Sequence, residues 1–107
     1  MRYWKIIYPG LPASAMALYP FMLFKTEQLK HDSVIINHEK IHFQQQLELL
    51  ILPFYLLYLA HYAINLIRYR NHSQAYYDIC FEKEAYKHDR DLNYLTKRKV
   101  YTWMRSN

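Results

Sequence analysis

Glycine occurs once in these 107 residues, at Gly10, and three of the four prolines, Pro9, Pro12 and Pro20, fall within the first twenty positions. Beyond them only Pro53 interrupts the chain, which is 52% apolar and rich in tyrosine, so it is expected to fold and to fold mainly into helices. Cysteine also occurs once, at Cys80. That excludes an intramolecular disulfide and a zinc site built from a CxxC pair, and leaves a buried cytoplasmic thiol as the expectation.

Acidic residues are in the minority, 9 against 14 Lys and Arg, for a formal charge of +5. Much of the excess lies in TKRKVYTWMR, Thr96 to Arg105, and at Arg68 and Arg70. Such a balance suits an anionic membrane surface, nucleic acid or a solvated basic tail. No RNA-binding signature or helix-turn-helix pattern accompanies it, so no nucleic-acid partner is expected. At 13.2 kDa the chain is one domain, 1–107, too short for a separate substrate domain. Any site must be built from core elements.

No clean membrane span is present either. Leu47 to Ile67 approaches the ~20 residues a span needs, but Glu48, Pro53, His61 and Asn65 count against it. The start MRYWKIIYPGLPASA imitates a signal peptide, yet Pro9, Gly10 and Pro12 break its apolar stretch too early. A cytoplasmic protein is expected, attached peripherally to the inner face of a bacterial membrane, and not a secreted one.

Residues 1–32 form the non-helical part: 1–20 irregular, then Phe21 to Lys25 as a short strand, paired with an extended piece at His31 to Val34. Residues 33–97 form the helical core. Asp32 or Ser33 caps the first helix, which breaks near Leu52 because Pro53 fits only the first turn of a new one, Pro53 to Tyr69. A turn at Asn71 to Gln74 leads to a third helix over Ser73 to Lys97, and 98–107 form a basic tail. The fold class is therefore α+β and mainly helical.

The first helix carries His38-Glu39-Lys40-Ile41-His42, an HExxH pattern. Positions four apart share a helix face with Cβ atoms ~6 Å apart, so both histidines can offer Nε2 to one Zn²⁺. Glu39, turned about 100° round the helix, cannot join them as a ligand but can hydrogen-bond a metal-bound water as general base. The longer HExxHxxGxxH form fails, since Gln45 and Glu48 hold its last two positions.

A third ligand is available in FEKEAYKHD, Phe81 to Asp89, as Glu82 or Glu84. Glu82 shares a face with Ile79, Ala85 and Tyr86, the expected core side, whereas Glu84 lines up with Phe81 and His88. Helix lengths at ~1.5 Å per residue, up from His42, back after Pro53 and up again, leave Glu82 within about two turns of the motif. Without the break at Pro53 it would lie on the order of 30 Å away. A transmembrane segment between His42 and Glu82 would separate the ligands, so a zinc site and a span exclude each other.

Of the remaining polar groups, His61 is expected to be a hydrogen-bonded core histidine, and His31, His72 and His88 are given no role. Gln44, Gln45 and Gln46 read as solvated helix residues, with Gln45 close enough to the motif's face to support a ligand. Tyr55, Tyr58 and Tyr62 read as core packing or interfacial anchors.

The combination resembles a minimal gluzincin, a small zinc-peptidase-like protein with a zincin-like core of HExxH helix, apolar helix and glutamate helix. NHEKIHFQQQLELL, PFYLLYL and AYYDICFEKEAY are also similar to a group of small bacterial proteins that carry the HExxH and FEKEAY blocks. The gluzincin frame makes Glu82 the third ligand and Ala85 the small residue that lets the helices approach, with Glu84 as the alternative ligand. It implies zinc on His38, His42 and Glu82, Glu39 as the catalytic base, and a peptide or protein substrate. Tyr86 departs from the frame by replacing an acid that would orient a ligand histidine, and no oxyanion-stabilising residue is placed by spacing. Two rivals stand beside the peptidase: a zinc-binding module without turnover, and a small membrane-associated helical protein without metal.

Overall fold

The computed structural model describes residues 2–105. The protein is α+β and mainly helical, a small N-terminal sheet followed by helices. Strands β1 (Trp4–Ile7), β2 (Ala15–Leu18) and β3 (Phe21–Phe24) lie in the order β1-β3-β2, with β3 parallel to β1 and antiparallel to β2. β3 starts at the expected Phe21, but its expected partner at 31–34 is not a strand. Leu29–His31 forms a 3-10 turn, and Asp32 already caps the next helix by accepting from the amides of Val34 and Ile35. The partners come instead from the stretch expected to be irregular. Pro9, Gly10 and Pro12 sit in the connection between β1 and β2, where they leave the four-residue strands intact.

Met22 and Phe24 of β3 turn inward by strand alternation and pack with Ala17 on Phe43 of α1 (Ser33–Glu48). Six of the eight buried residues of α1 are polar, namely Asn37, His38, Glu39, His42, Gln45 and Gln46. Buried polar groups persist only where partners satisfy them, so this face is organised by hydrogen bonds. Gln46 shows how: its carbonyl accepts from the Tyr19 amide (2.9 Å) and its NH₂ donates to the Ala17 carbonyl (2.8 Å), fastening α1 to the sheet.

The break before Pro53 is where the sequence puts it. Leu50 and Ile51 turn the chain with φ of 61° and 56°, at a cost of about 1–3 kcal/mol each for such side chains. α2 (Leu52–Tyr69) then leaves at 111° to α1. Arg70 closes α2 in the left-handed region, and the Asn71 side chain caps the next helix by accepting from the Gln74 amide.

The expected single helix over 73–97 is three helices: α3 (His72–Tyr77), α4 (Cys80–His88) and α5 (Tyr94–Lys97). Ile79 makes the first break, its extended backbone (ψ 131°) accompanying burial of its side chain with Phe54 and Phe81. Asn37 of α1 makes the second. Its NH₂ donates to the carbonyls of Asp89 (2.9 Å) and Asp91 (3.0 Å), which a continuing helix would have used itself. The expected basic tail is anchored at its first residue, since the Arg98 guanidinium lies buried between Glu48 and Glu84, and Trp103 packs on Phe81 (4.8 Å between ring centres).

Candidate metal centre

His38 and His42 stand one turn apart on α1 and turn their Nε2 atoms toward α4. There Glu82 Oε1 lies 3.1 Å from His38 Nε2 and 3.0 Å from His42 Nε2. All three side chains are buried, and the three atoms lie within 4.8 Å of one another. Ligands around a tetrahedral ion with bonds of ~2.0–2.1 Å sit about 3.3 Å apart, so this group could hold a metal ion. Ala85, buried against Ile41, is small enough to let α4 approach α1 this closely.

The hydrogen bonds fix which ring nitrogens carry protons. Gln45 donates through Nε2 to the Phe81 carbonyl (3.0 Å) and to Glu84 (2.9 Å), which leaves its Oε1 to accept from His42 Nδ1 (2.8 Å). Asp89, whose carboxylate can only accept, accepts the hydrogen bond of His38 Nδ1–H (2.9 Å). In the neutral rings both Nε2 atoms therefore face Glu82 as lone pairs. The other Glu82 oxygen accepts from the Tyr58 hydroxyl at 2.6 Å, so a single carboxylate oxygen is presented to the centre.

Three acceptors aimed at one point require a cation there. Without a metal, a proton is the available substitute, and the imidazole of His42 registers this. Burial favours its neutral form, yet the charge and hydrogen bond of Glu82 overcome that and push it up to about 9. Burial likewise opposes the charge of Glu82, while the charge of His42 and the hydrogen bonds from both histidines hold its carboxyl well below the usual carboxylate range.

Glu39 is 7% exposed, and its carboxylate accepts no hydrogen bond from a described residue. Burial pushes its pKa above the ordinary value, against the charges of His42 and His38. It lies in the wall of a cavity of about 550 Å³ together with His38, His42 and Glu82. α2 closes one side of this cleft with Tyr55, Tyr58 and Leu59, β2 the other with Ala15, Met16 and Ala17. A smaller cavity of about 210 Å³ shares the Glu39 and His38 wall and extends past Asp89. Tyr86, its ring edge-on to His38 at 4.4 Å and its hydroxyl 3.2 Å from that of Tyr76, lines both. Burial pushes the Tyr86 phenol up to about 12, so it stays a proton donor near neutral pH.

Of the residues singled out in the sequence, His38, His42 and Glu82 are brought together and Glu39 lies beside them. Glu84, the alternative ligand, is not: two residues on, it points about 200° round the helix, to Arg98, Tyr94 and Gln45. Gln45 and Gln46, expected to be solvated, are buried. His61 accepts from the Cys80 amide (3.1 Å), and His72, given no role, lines the cleft. The acid on His38 is Asp89, which was not singled out in the sequence, where Tyr86 holds the expected place. It lies seven residues after Glu82, a spacing that returns to the same helix face and was the available signal. No known protein family, curated protein or solved structure matches this chain.

Proposed function

We propose that the protein is a zinc-dependent hydrolase of peptide bonds, of gluzincin type, with His38, His42 and Glu82 as metal ligands and Glu39 as general base. The observation that carries this reading is the convergence of two imidazole nitrogens and one carboxylate oxygen beside a buried, unbonded glutamate on a cleft wall. Zinc suits this borderline N₂O donor set, and when bound it lowers the pKa of a coordinated water toward ~7 and polarises a carbonyl.

Glu39 takes the proton of the attacking water and, its pKa raised by burial, hands it on to the leaving amine. The same donor trio serves non-haem iron sites, and the free Glu39 carboxylate favours the hydrolytic use. Tyr86 and Tyr76, held protonated in the cleft, are the hydroxyl donors for a developing oxyanion.

The cleft wall also favours an extended substrate. β2 is an edge strand. The Ala17 carbonyl turns away from β3, toward Gln46 and Tyr55, and strand alternation turns Ala15 the same way, onto the cleft. With the Ala17 carbonyl taken by Gln46 and Tyr55, an extended peptide can pair with this edge at Ala15.

Incubating the zinc-loaded protein with a random peptide library tests the reading by mass spectrometry. New cleavage products are expected, and Glu39→Gln is expected to lower their rate of formation by about 10²–10⁴-fold with zinc content unchanged. A zinc-loaded wild type that cuts nothing contradicts turnover and leaves the non-catalytic zinc module.

A further inference from the structure

The protein covers α2 on one side only. Phe54 and Asn65 are buried, and Tyr55, Tyr58, His61 and Tyr62 partly so, on the side that meets the rest of the fold. The opposite half of the helix carries Leu52, Leu56, Leu59, Ala63, Ile64 and Ile67 with no polar or charged residue between them. The five large ones are 60–78% exposed, and the strip runs the ~27 Å of the helix. It continues onto Leu50 at the α1–α2 turn, 79% exposed where a loop tip is ordinarily polar. A continuous aliphatic surface of this size marks an interaction site.

The charge distribution indicates which partner. Glu39, Glu82, Glu84 and Asp89 are buried and Glu48 is closed over by Arg98, so five of the nine acids are withdrawn from the surface and Arg98 goes in with them. The outer surface is thus more basic than the formal +5, and Arg68 and Arg70 stand exposed at the end of α2. A second copy would bring this basic surface against itself, whereas an anionic lipid surface complements both its charge and its aliphatic strip.

No single helix among the described residues is long and apolar enough to cross a membrane. The inner side of α2 is also committed to the protein, through the Tyr58 bond to Glu82 and the Gln46 bond to Tyr55. We propose that α2 docks in the plane of an anionic bilayer, its aliphatic face and the Leu50 tip sunk to the headgroup boundary. Leu59 belongs to this face and to the cleft wall, so the cleft opens at the lipid surface. The inference holds whether or not the centre carries metal.

Co-sedimentation of the full chain with vesicles tests it. The wild type is expected to pellet with phosphatidylcholine vesicles containing phosphatidylglycerol, and less with phosphatidylcholine alone. Leu56→Glu and Ile64→Glu are each expected to weaken that binding at least about tenfold, the loss of one buried aliphatic side chain. Both sites are exposed, and far-UV circular dichroism checks the fold; Leu56→Ser and Ile64→Ser replace any variant that fails it. A wild type that stays in the supernatant with the anionic vesicles overturns the proposal. So do glutamate variants that bind as tightly as wild type, equal binding to neutral vesicles, or a dimer that Ile64→Glu splits and that ignores lipid.

Discussion

Gln45 decides which nitrogen of His42 faces the metal position, and Asp89 does the same for His38. Partners of this kind typically account for 10–100-fold in metal affinity, so Asp89→Asn and Gln45→Leu are each expected to raise the zinc Kd by about that factor in a competition titration. Arg98 acts one step further out, through Glu84 and Gln45. Arg98→Ala leaves Glu48 and Glu84 enclosed without their counter-charge and is expected to cost about 3–5 kcal/mol in urea unfolding. Burial opposes the charge of Glu84, but the hydrogen bonds of Arg98 and Tyr94 hold its pKa below the ordinary 4.5. Its contribution to stability is therefore full above that value and is lost as the pH falls through the folded pKa. Acid unfolding followed by tyrosine fluorescence is expected to begin at higher pH in Arg98→Ala than in wild type. At this scale the approach of His38 and His42 was legible because HExxH places both on one helix face, and the group they form with Glu82 could hold a metal ion. Of the side chains around it, Gln45 was legible from its place near the motif's face, three residues from His42, whereas Tyr58 and Arg98 acquire their contacts only from chain brought in from elsewhere.

Among the elements, α1 does most of the organising, and it does so through a polar buried face. Asn37 holds the end of α4 by its last carbonyls and thereby sets where Asp89 lies. Asn37→Ala is expected to destabilise the fold by about 1–3 kcal/mol, the cost of stranding buried carbonyls, and to weaken zinc binding by displacing Asp89. Urea unfolding and metal titration of the same variant check both effects. The break at Pro53 was readable because proline carries its own geometric rule. The breaks after Tyr77 and His88 were not: one accompanies burial of Ile79 against residues from α2, the other a hydrogen bond from more than fifty residues upstream. β1 and β2 escaped for a similar reason, being four residues each and defined by pairing with β3.

For the whole molecule, interior acids, a basic exterior and one uncovered aliphatic helix face belong to a single arrangement. The acids that would have balanced the surface charge are withdrawn from it, Glu39, Glu82 and Asp89 beside the two histidines and Glu48 and Glu84 on Arg98. A cation that binds only the folded state stabilises it by mass action, so free zinc at a hundredfold its Kd is expected to add about 2.7 kcal/mol. Thermal unfolding should show a rise in midpoint with zinc and its loss with chelator, neither of them in His42→Ala. The most direct measurement is the metal content of the chain purified without chelator, by elemental mass spectrometry. One zinc per chain is expected in the wild type and in Glu39→Gln, and none in His38→Ala, His42→Ala or Glu82→Ala. A folded wild type without metal, or a Glu82→Ala variant that keeps its zinc, would contradict the assignment.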